Sequence, residues 1–233
     1  MGADLAVIVT ARNEAARLAA TLRALRRSFP EAELWVADDG SEDATAHVAL
    51  QEGARLVQAP RRVGKGGAAT LAAEALLRER DPAVLLADAD LGESAGKLGR
   101  LVDAVSDAGD ASSAADLAIA MFASRVGGGF GIAVGAARWS IRQATGRTMA
   151  APLSGQRAMR PSVLHRLLPF ARGFGIETGI TIDALRAGLR VVEVEVDLEH
   201  RATGKSVSGF GHRGRQALDA LRAYASRRAR ENP

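Results

Sequence analysis

AVLLADADLGE, residues 83–93, opens as an aliphatic run and closes on two carboxylates. Residues 83–87 read as a buried strand. Asp88 and Asp90 are two positions apart, and side chains at i and i+2 of an extended chain face the same side. Two carboxylates aimed together repel unless a cation lies between them. Mg²⁺ and Mn²⁺ take oxygen ligands and usually share a phosphate-bearing substrate with one or two protein carboxylates. The expectation is therefore Mg²⁺ or Mn²⁺ at Asp88 and Asp90, holding a diphosphate. A capping Asp followed by a turn Asp would give the same letters.

Working outward, LAVIVT (5–10) is a short β-branched strand, and 13–27 carries helical spacing through Leu18, Leu22 and Leu25. LWVA (34–37) is a second strand, ending in Asp38-Asp39-Gly40-Ser41, with a helix from about residue 43. RLVQ (55–58) is a third strand. The loop RRVGKGG then opens a helix that runs to about residue 80. Strands alternating with helices of this length predict an α/β fold with a mostly parallel central sheet flanked by helices.

The second half reads as a helix over 98–105 and a strand over 116–121. A strand and a helix follow over 153–160 and 163–168. A helix over 177–187 ends at Gly188, and 190–196 alternates as a half-exposed strand. No repeat or long linker marks a second globular unit. The organisation expected is a single domain over residues 1–208 and a basic amphipathic C-terminal helical tail over 209–233. Ligands of open α/β sheets bind beyond the carboxyl ends of the strands. The polar clusters 10–14, 38–41 and 88–90 all follow strands, so they should converge on one sheet edge.

Composition sets limits on class. The 233 residues are 47% hydrophobic and 25% charged, as in an ordinary globular protein. With no cysteine, disulfide frameworks and thiolate metal sites are excluded. The N-terminus lacks the pattern of a signal peptide, and the longest uncharged apolar tract, 126–137, is too short to span a bilayer. A cytoplasmic protein is expected. The net charge of +4 is uneven: from His200 onward eight Lys/Arg face two acids. Such a basic end suits phosphates or anionic headgroups, so peripheral contact with the inner face of a membrane is compatible with it, as is a homodimer. No nucleic-acid partner is expected.

Several motifs fail on inspection. APRRVGKGGAA lacks the first glycine and the hydroxyl of a P-loop, and the glycine runs lack dinucleotide spacing. Lys65 in its glycine-rich loop can still meet a phosphate at a helix start. Ser154 in LSGQ lacks a nucleophile elbow, and the four histidines lack zinc spacing. Glu177 begins a helix after a glycine-rich turn, and His200 follows a strand.

The motifs in order are VIVTARNEAARLAATL, WVADDGSEDAT, RRVGKGGAA, LLADADL, GGGFG, PLSGQRAMRPSVL, GFGIETGITIDALRAGLRVVEVEV and EHRATGKS. This series resembles the family 2-like nucleotide-sugar glycosyltransferases of the Rossmann-like GT-A fold, including polyprenyl-phosphate sugar synthases and glucosyl-3-phosphoglycerate synthases. The resemblance covers about residues 5–206. It implies a metal-dependent hexosyltransferase that moves a sugar from a UDP- or GDP-linked donor to an anionic acceptor, either a small phosphate-bearing molecule or a polyprenyl phosphate. It further implies that Thr10, Ala11, Arg12, Glu14, Asp39, Lys65 and Asp88 bind the nucleotide-sugar. Asp88 and Asp90 would form the DxD motif, with Asp90, Asp88 and His200 holding the metal. Glu177 and Asp90 would be catalytic. Arg125, Arg138, Arg142 and Arg157 are the candidates for the acceptor. The polyprenyl-type pattern carries Gln where this chain has Gly92, leaving Glu93 or His200 to complete the metal shell. Two other classes stay open at this level: a nucleotidyltransferase, and a nucleotide-binding or membrane-surface module without catalysis.

Overall fold

The computed structural model describes residues 4–106, 114–122, 131–197 and 207–228. Seven strands form one sheet: β1 (Leu5–Ala11), β2 (Glu33–Asp38), β3 (Arg55–Gln58), β4 (Ala83–Asp88), β5 (Leu117–Phe122), β6 (Arg157–Met159) and β7 (Val191–Val196). Their order is β3-β2-β1-β4-β6-β5-β7. Every pairing is parallel except those of β6, which runs antiparallel to both β4 and β5. The helices are α1 (Ala15–Ser28), α2 (Thr45–Gln51), α3 (Lys65–Leu77), α4 (Gly99–Val105), α5 (Gly131–Thr145), α6 (Val163–Leu167), α7 (Ile176–Arg186) and α8 (Val207–Arg228).

Both faces of the sheet are covered, which is why β1 and β4 read as unbroken apolar runs. Leu5, Val7 and Val9 point to one face, where Leu18, Leu22 and Leu25 of α1 join Leu98 and Leu101. Ala6 and Ile8 point to the other, against Ala68, Ala69, Ala72 and Leu76 of α3 and Ile180 of α7. The alanine face of α3 lets that helix lie close to the sheet. At Gly66 the approach is closest, since a Cβ there would stand 1.8 Å from the Ala171 carbonyl oxygen.

The region expected as a tail is built into this layer. α8 starts at Val207 and packs against α5 and α7. Arg227 is 5% exposed and donates from Nε and one terminal nitrogen to the two oxygens of Asp183, at 2.6 and 2.5 Å. Asp219 accepts the Phe174 amide at 3.1 Å, just before α7. Gly175 and Gly179 have no room for a side chain beneath α8: a Cβ would meet the Asp219 carbonyl oxygen at 2.7 Å and the Arg227 guanidinium at 2.8 Å. Among the described residues no helix is long and apolar enough to cross a membrane.

Candidate active site

β1, β2 and β4 end side by side, with Thr10 in register with Asp88 and Ala11 with Asp38. The chain leaving each strand is tied to its neighbour. Asn13, at φ 53°, donates its amide to Ser41 Oγ and accepts the Glu42 amide on Oδ1, both at 2.9 Å. The Glu14 amide donates to Thr45 Oγ1 at 2.8 Å. Ala11 contributes its carbonyl, which accepts the Asp39 amide at 3.0 Å. Asp39 is 5% exposed and accepts the Val63 and Gly64 amides on Oδ1, both at 2.7 Å, thereby fixing the loop that delivers Lys65. Arg12 sits at the same edge with its Nε buried and without a hydrogen-bond partner.

The centre is a charge cluster contributed by three separate elements. Lys65, the first residue of α3, places its Nζ 2.6 Å from Asp88 Oδ1 and 2.8 Å from Glu177 Oε1. Thr10 Oγ1 donates to Asp88 Oδ1 at 3.1 Å, and Gln156 Nε2 donates to Oδ2 at 2.9 Å. Burial alone would push the Asp88 carboxyl up. The Lys65 ammonium and the hydrogen bonds from Lys65, Thr10 and Gln156 outweigh it and hold Asp88 below the usual carboxylate range. Burial likewise opposes the Lys65 charge, but Asp88 and Glu177 prevail and raise its pKa. Glu177 is 5% exposed and lies in the first turn of α7, where a carboxylate complements the helix dipole.

Asp88 and Asp90 have different surroundings. β4 ends at Asp88 and the next two residues form a turn, so the i, i+2 rule of extended chain stops there. Asp88 is neutralised from within by Lys65. Asp90 keeps a side chain 45% exposed, with Arg17 no closer than 3.9 Å. Glu14 lies in the same field. Burial raises its pKa first, Arg17 opposes this, and the charges of Asp90, Asp43 and Asp88 add to the rise. Its Oε2 is buried 3.0 Å from Arg17 Nε without hydrogen-bond alignment.

An open carboxylate at an edge with surplus negative charge fits a hard divalent cation. Among the described residues no three His, Cys, Asp or Glu side chains gather to hold an ion. The donor set therefore suits Mg²⁺ or Mn²⁺ arriving with oxygens from a diphosphate and water. His200, assigned to the metal by resemblance, lies outside the described residues. Glu93 is turned away, 76% exposed and paired with Arg27.

The acceptor arginines separate in the structure. Arg157 is 1% exposed and donates to the Ser154 carbonyl (2.9 Å), Thr181 Oγ1 (2.9 Å) and the Pro152 carbonyl (3.5 Å). Burial pushes its pKa down to about 10, against the charges of Glu177 and Glu193. An arginine this deep, with its donors on protein oxygens, is not presented to an acceptor; it fixes the 152–156 loop to α7. Arg138 has a similar task, donating to the carbonyls of Met149 and Ala150 at 3.1 and 2.7 Å. Arg142 is exposed on α5, and Arg125 lies outside the described residues.

Sequence reasoning missed Gly155, Gln156 and Glu193. Glu193 accepts the amides of Ala150 and Ala151, at 2.9 and 2.6 Å, so the 149–156 loop is held by charged side chains from three elements. It presents Gly155 to the cluster. A Cβ at Gly155 would stand 2.5 Å from Asp88 Oδ2 and 2.7 Å from Lys65 Nζ. Gly155→Ala is therefore expected to spread the ion pair and cost about 1–3 kcal/mol of stability, together with most of the activity. Thermal unfolding and a transfer assay check this. A variant as stable and active as the parent would mean that the cluster tolerates displacement.

The mostly parallel sheet, with acidic side chains gathered where β1, β2 and β4 end and a Glu at a facing helix start, is the architecture of a GT-A glycosyltransferase. Comparison with known proteins agrees. Residues 6–121 match the family described as Glycosyl transferase family 2. The chain is 27% identical over 231 residues to the undecaprenyl-phosphate mannosyltransferase of Micrococcus luteus, covering 92% of this chain and 91% of that one. Crystal structures of glucosyl-3-phosphoglycerate synthase from Mycobacterium tuberculosis superpose closely. The complex with Mn²⁺, UDP and glucosyl-3-phosphoglycerate gives a TM-score of 0.74 at 26% identity, covering 96% of this chain and 81% of that one. The complex with phosphoglyceric acid gives 0.75 at 27%, with the same coverage. The chain is a family 2-like GT-A glycosyltransferase.

Proposed function

We propose that this glycosyltransferase moves a hexose from a UDP- or GDP-linked donor to a phosphate-bearing acceptor, with Mg²⁺ or Mn²⁺ bound. The observation that carries the reading is the division of labour between Asp88, neutralised by Lys65, and Asp90, left open at the sheet edge. Both kinds of relative fit it. The M. tuberculosis enzyme is crystallised with UDP-glucose, Mn²⁺ and phosphoglyceric acid, and the M. luteus enzyme is named for a polyprenyl phosphate.

Thr10, Ala11, Arg12, Glu14 and Asp39 line the nucleotide side, where β1 and β2 end. Asp90 would hold the metal, with Asp88 behind it. Held there, Mg²⁺ or Mn²⁺ would supply positive charge to the leaving diphosphate. Lys65 keeps Asp88 in place and adds a cation beside the same diphosphate. Glu177, buried and anchored by Lys65, would face the sugar and the acceptor hydroxyl or phosphate oxygen. Arg142 remains an exposed candidate for the acceptor phosphate, and arginine suits that role because its planar fork donates two bonds at once.

Thermal unfolding with UDP and GDP, each with and without Mn²⁺, tests the donor site. A nucleotide at a hundred times its Kd adds about 2.7 kcal/mol. For a chain of this size that is a rise of roughly 5–10 °C. The expected result is a rise that needs nucleotide and metal together. No rise with either nucleotide would overturn the reading. Release of the nucleoside diphosphate on adding 3-phosphoglycerate or undecaprenyl phosphate then tells the acceptor class.

A further inference from the structure

Four large apolar side chains stand exposed on two neighbouring helices: Ile132 (83%) and Trp139 (49%) on α5, Leu218 (46%) and Leu221 (40%) on α8. The two helices pack against each other. The Trp139 and Tyr224 rings meet edge to face with centroids 5.4 Å apart, and Arg186 donates both to the Ala144 carbonyl and to the Arg227 carbonyl near their ends. Tyr224 thus marks the side of α8 that faces α5. At about 100° per residue, Leu221 lies about 60° outward from Tyr224 and Leu218 about 120°. Asp219 and Arg227, which bind Phe174 and Asp183, lie on the far side. Trp139, Leu221 and Leu218 therefore follow one outer seam.

The charge around this seam has a single sign. α5 carries Arg138 and Arg142 and no acid. Apart from Arg227, which is turned inward onto Asp183, α8 carries Arg213, Arg215, Arg222 and Arg228 against Asp219 alone. That carboxylate is already committed to the Phe174 amide and to Arg222. A second copy of the chain would bring cation against cation. An anionic partner would not, and apolar side chains bordered by guanidiniums are the pattern of helices lying in a lipid interface. We propose that the α5–α8 face docks on an anionic bilayer. Trp139, Leu218, Leu221 and Ile132 enter the boundary of headgroups and acyl chains, while Arg222 meets lipid phosphates. The proposal does not depend on which acceptor the enzyme uses.

Deleting α8 would strip the cover from Gly175 and Gly179, so the test uses the full chain with point changes. Flotation would compare vesicles of phosphatidylcholine alone with vesicles of phosphatidylcholine mixed with phosphatidylglycerol. Trp139 is a built-in probe, because the other tryptophan, Trp35, is 2% exposed beneath the Arg55 guanidinium. The expected result is binding to the mixed vesicles only, weakened by salt, with tryptophan emission moving to shorter wavelength. The double variant Leu218→Gln/Leu221→Gln should bind at least about tenfold more weakly. Absence of binding to the mixed vesicles would overturn the proposal, as would unchanged binding by a folded double variant. So would a wild-type dimer in sedimentation that the double variant abolishes. Should the double variant fail to fold, the wild-type emission shift and its salt dependence decide alone.

Discussion

Lys65→Met is expected to destabilise the protein by about 3–5 kcal/mol and to abolish transfer. The Lys65 ammonium, 19% exposed, is the cation between Asp88 and Glu177, whose side chains are 28% and 7% exposed. Methionine fills similar space but leaves two carboxylates without a counter-charge. The variant should also gain a pH dependence that the parent lacks. In the parent, the folded Asp88 pKa is depressed, so its stabilising contribution is present above the unfolded carboxylate value and is lost only as pH falls through the lower folded value. Lys65 has a raised folded pKa, so its contribution is present below the unfolded lysine value and is lost as pH rises through the higher folded one. Between those limits the pair makes stability flat. In the variant, burial acts on Asp88 against only the Thr10 and Gln156 hydrogen bonds and raises its pKa, so stability is recovered as pH falls and lost as pH rises. Urea unfolding at pH 5 and pH 8 checks this: parent unchanged, variant more stable at pH 5. A variant within about 1 kcal/mol of the parent at both values would show that the ion pair does not hold the site together.

That network joins residues up to 112 positions apart, which explains why it was only partly legible in the sequence. The carboxyl ends of β1, β2 and β4 could be found because each apolar run stops at a polar cluster and parallel topology brings those ends together. α1, α3 and α7 could be placed within a few residues, from leucine spacing and from the glycines at their ends. β6 could not be bounded. Three residues are too few to show a period, and the sequence suggested a strand from 153 to 160. Because β6 was unbounded, nothing indicated that Gly155 and Gln156 would arrive beside Asp88. Arginine is equally ambiguous. Arg142 and Arg157 look alike as letters, yet one is exposed on α5 and the other lies under the site. Burial of a charged side chain depends on partners such as Thr181 and the Pro152 carbonyl, which sequence spacing does not bring together. The basic C-terminal segment shows the same limit from the other side. Its pattern suggested a helical tail, but which residues hold that helix, Asp219 and Arg227 over Gly175 and Gly179, could not be read from spacing.

Asp90→Asn and Asp88→Asn, similar changes two residues apart, should fail in opposite ways. Asp90 is 45% exposed with only a distant ion pair, so its amide variant should unfold within about 0.5 kcal/mol of the parent. If Asp90 carries the metal, that variant should lose the Mn²⁺-dependent part of nucleotide stabilisation and at least about a hundredfold in kcat/KM. Asp88 accepts from Lys65, Thr10 and Gln156. An amide there turns one acceptor into a donor facing either an ammonium or another amide. Losing charge-assisted bonds of this kind costs at least about 2 kcal/mol. Activity would then fall because Lys65 and Glu177 lose their alignment, and adding metal would not restore it. Calorimetry of each variant with Mn²⁺ and UDP, beside its unfolding curve, separates the two outcomes. An Asp90→Asn chain that still couples nucleotide binding to Mn²⁺ would move the metal to other ligands. An Asp88→Asn chain as stable as the parent would remove the inner neutralised role from Asp88. If both carboxylates instead faced one ion from the same side, the two variants would match in stability and in metal response alike, so the contrast between them distinguishes this site from the paired arrangement suggested by the sequence.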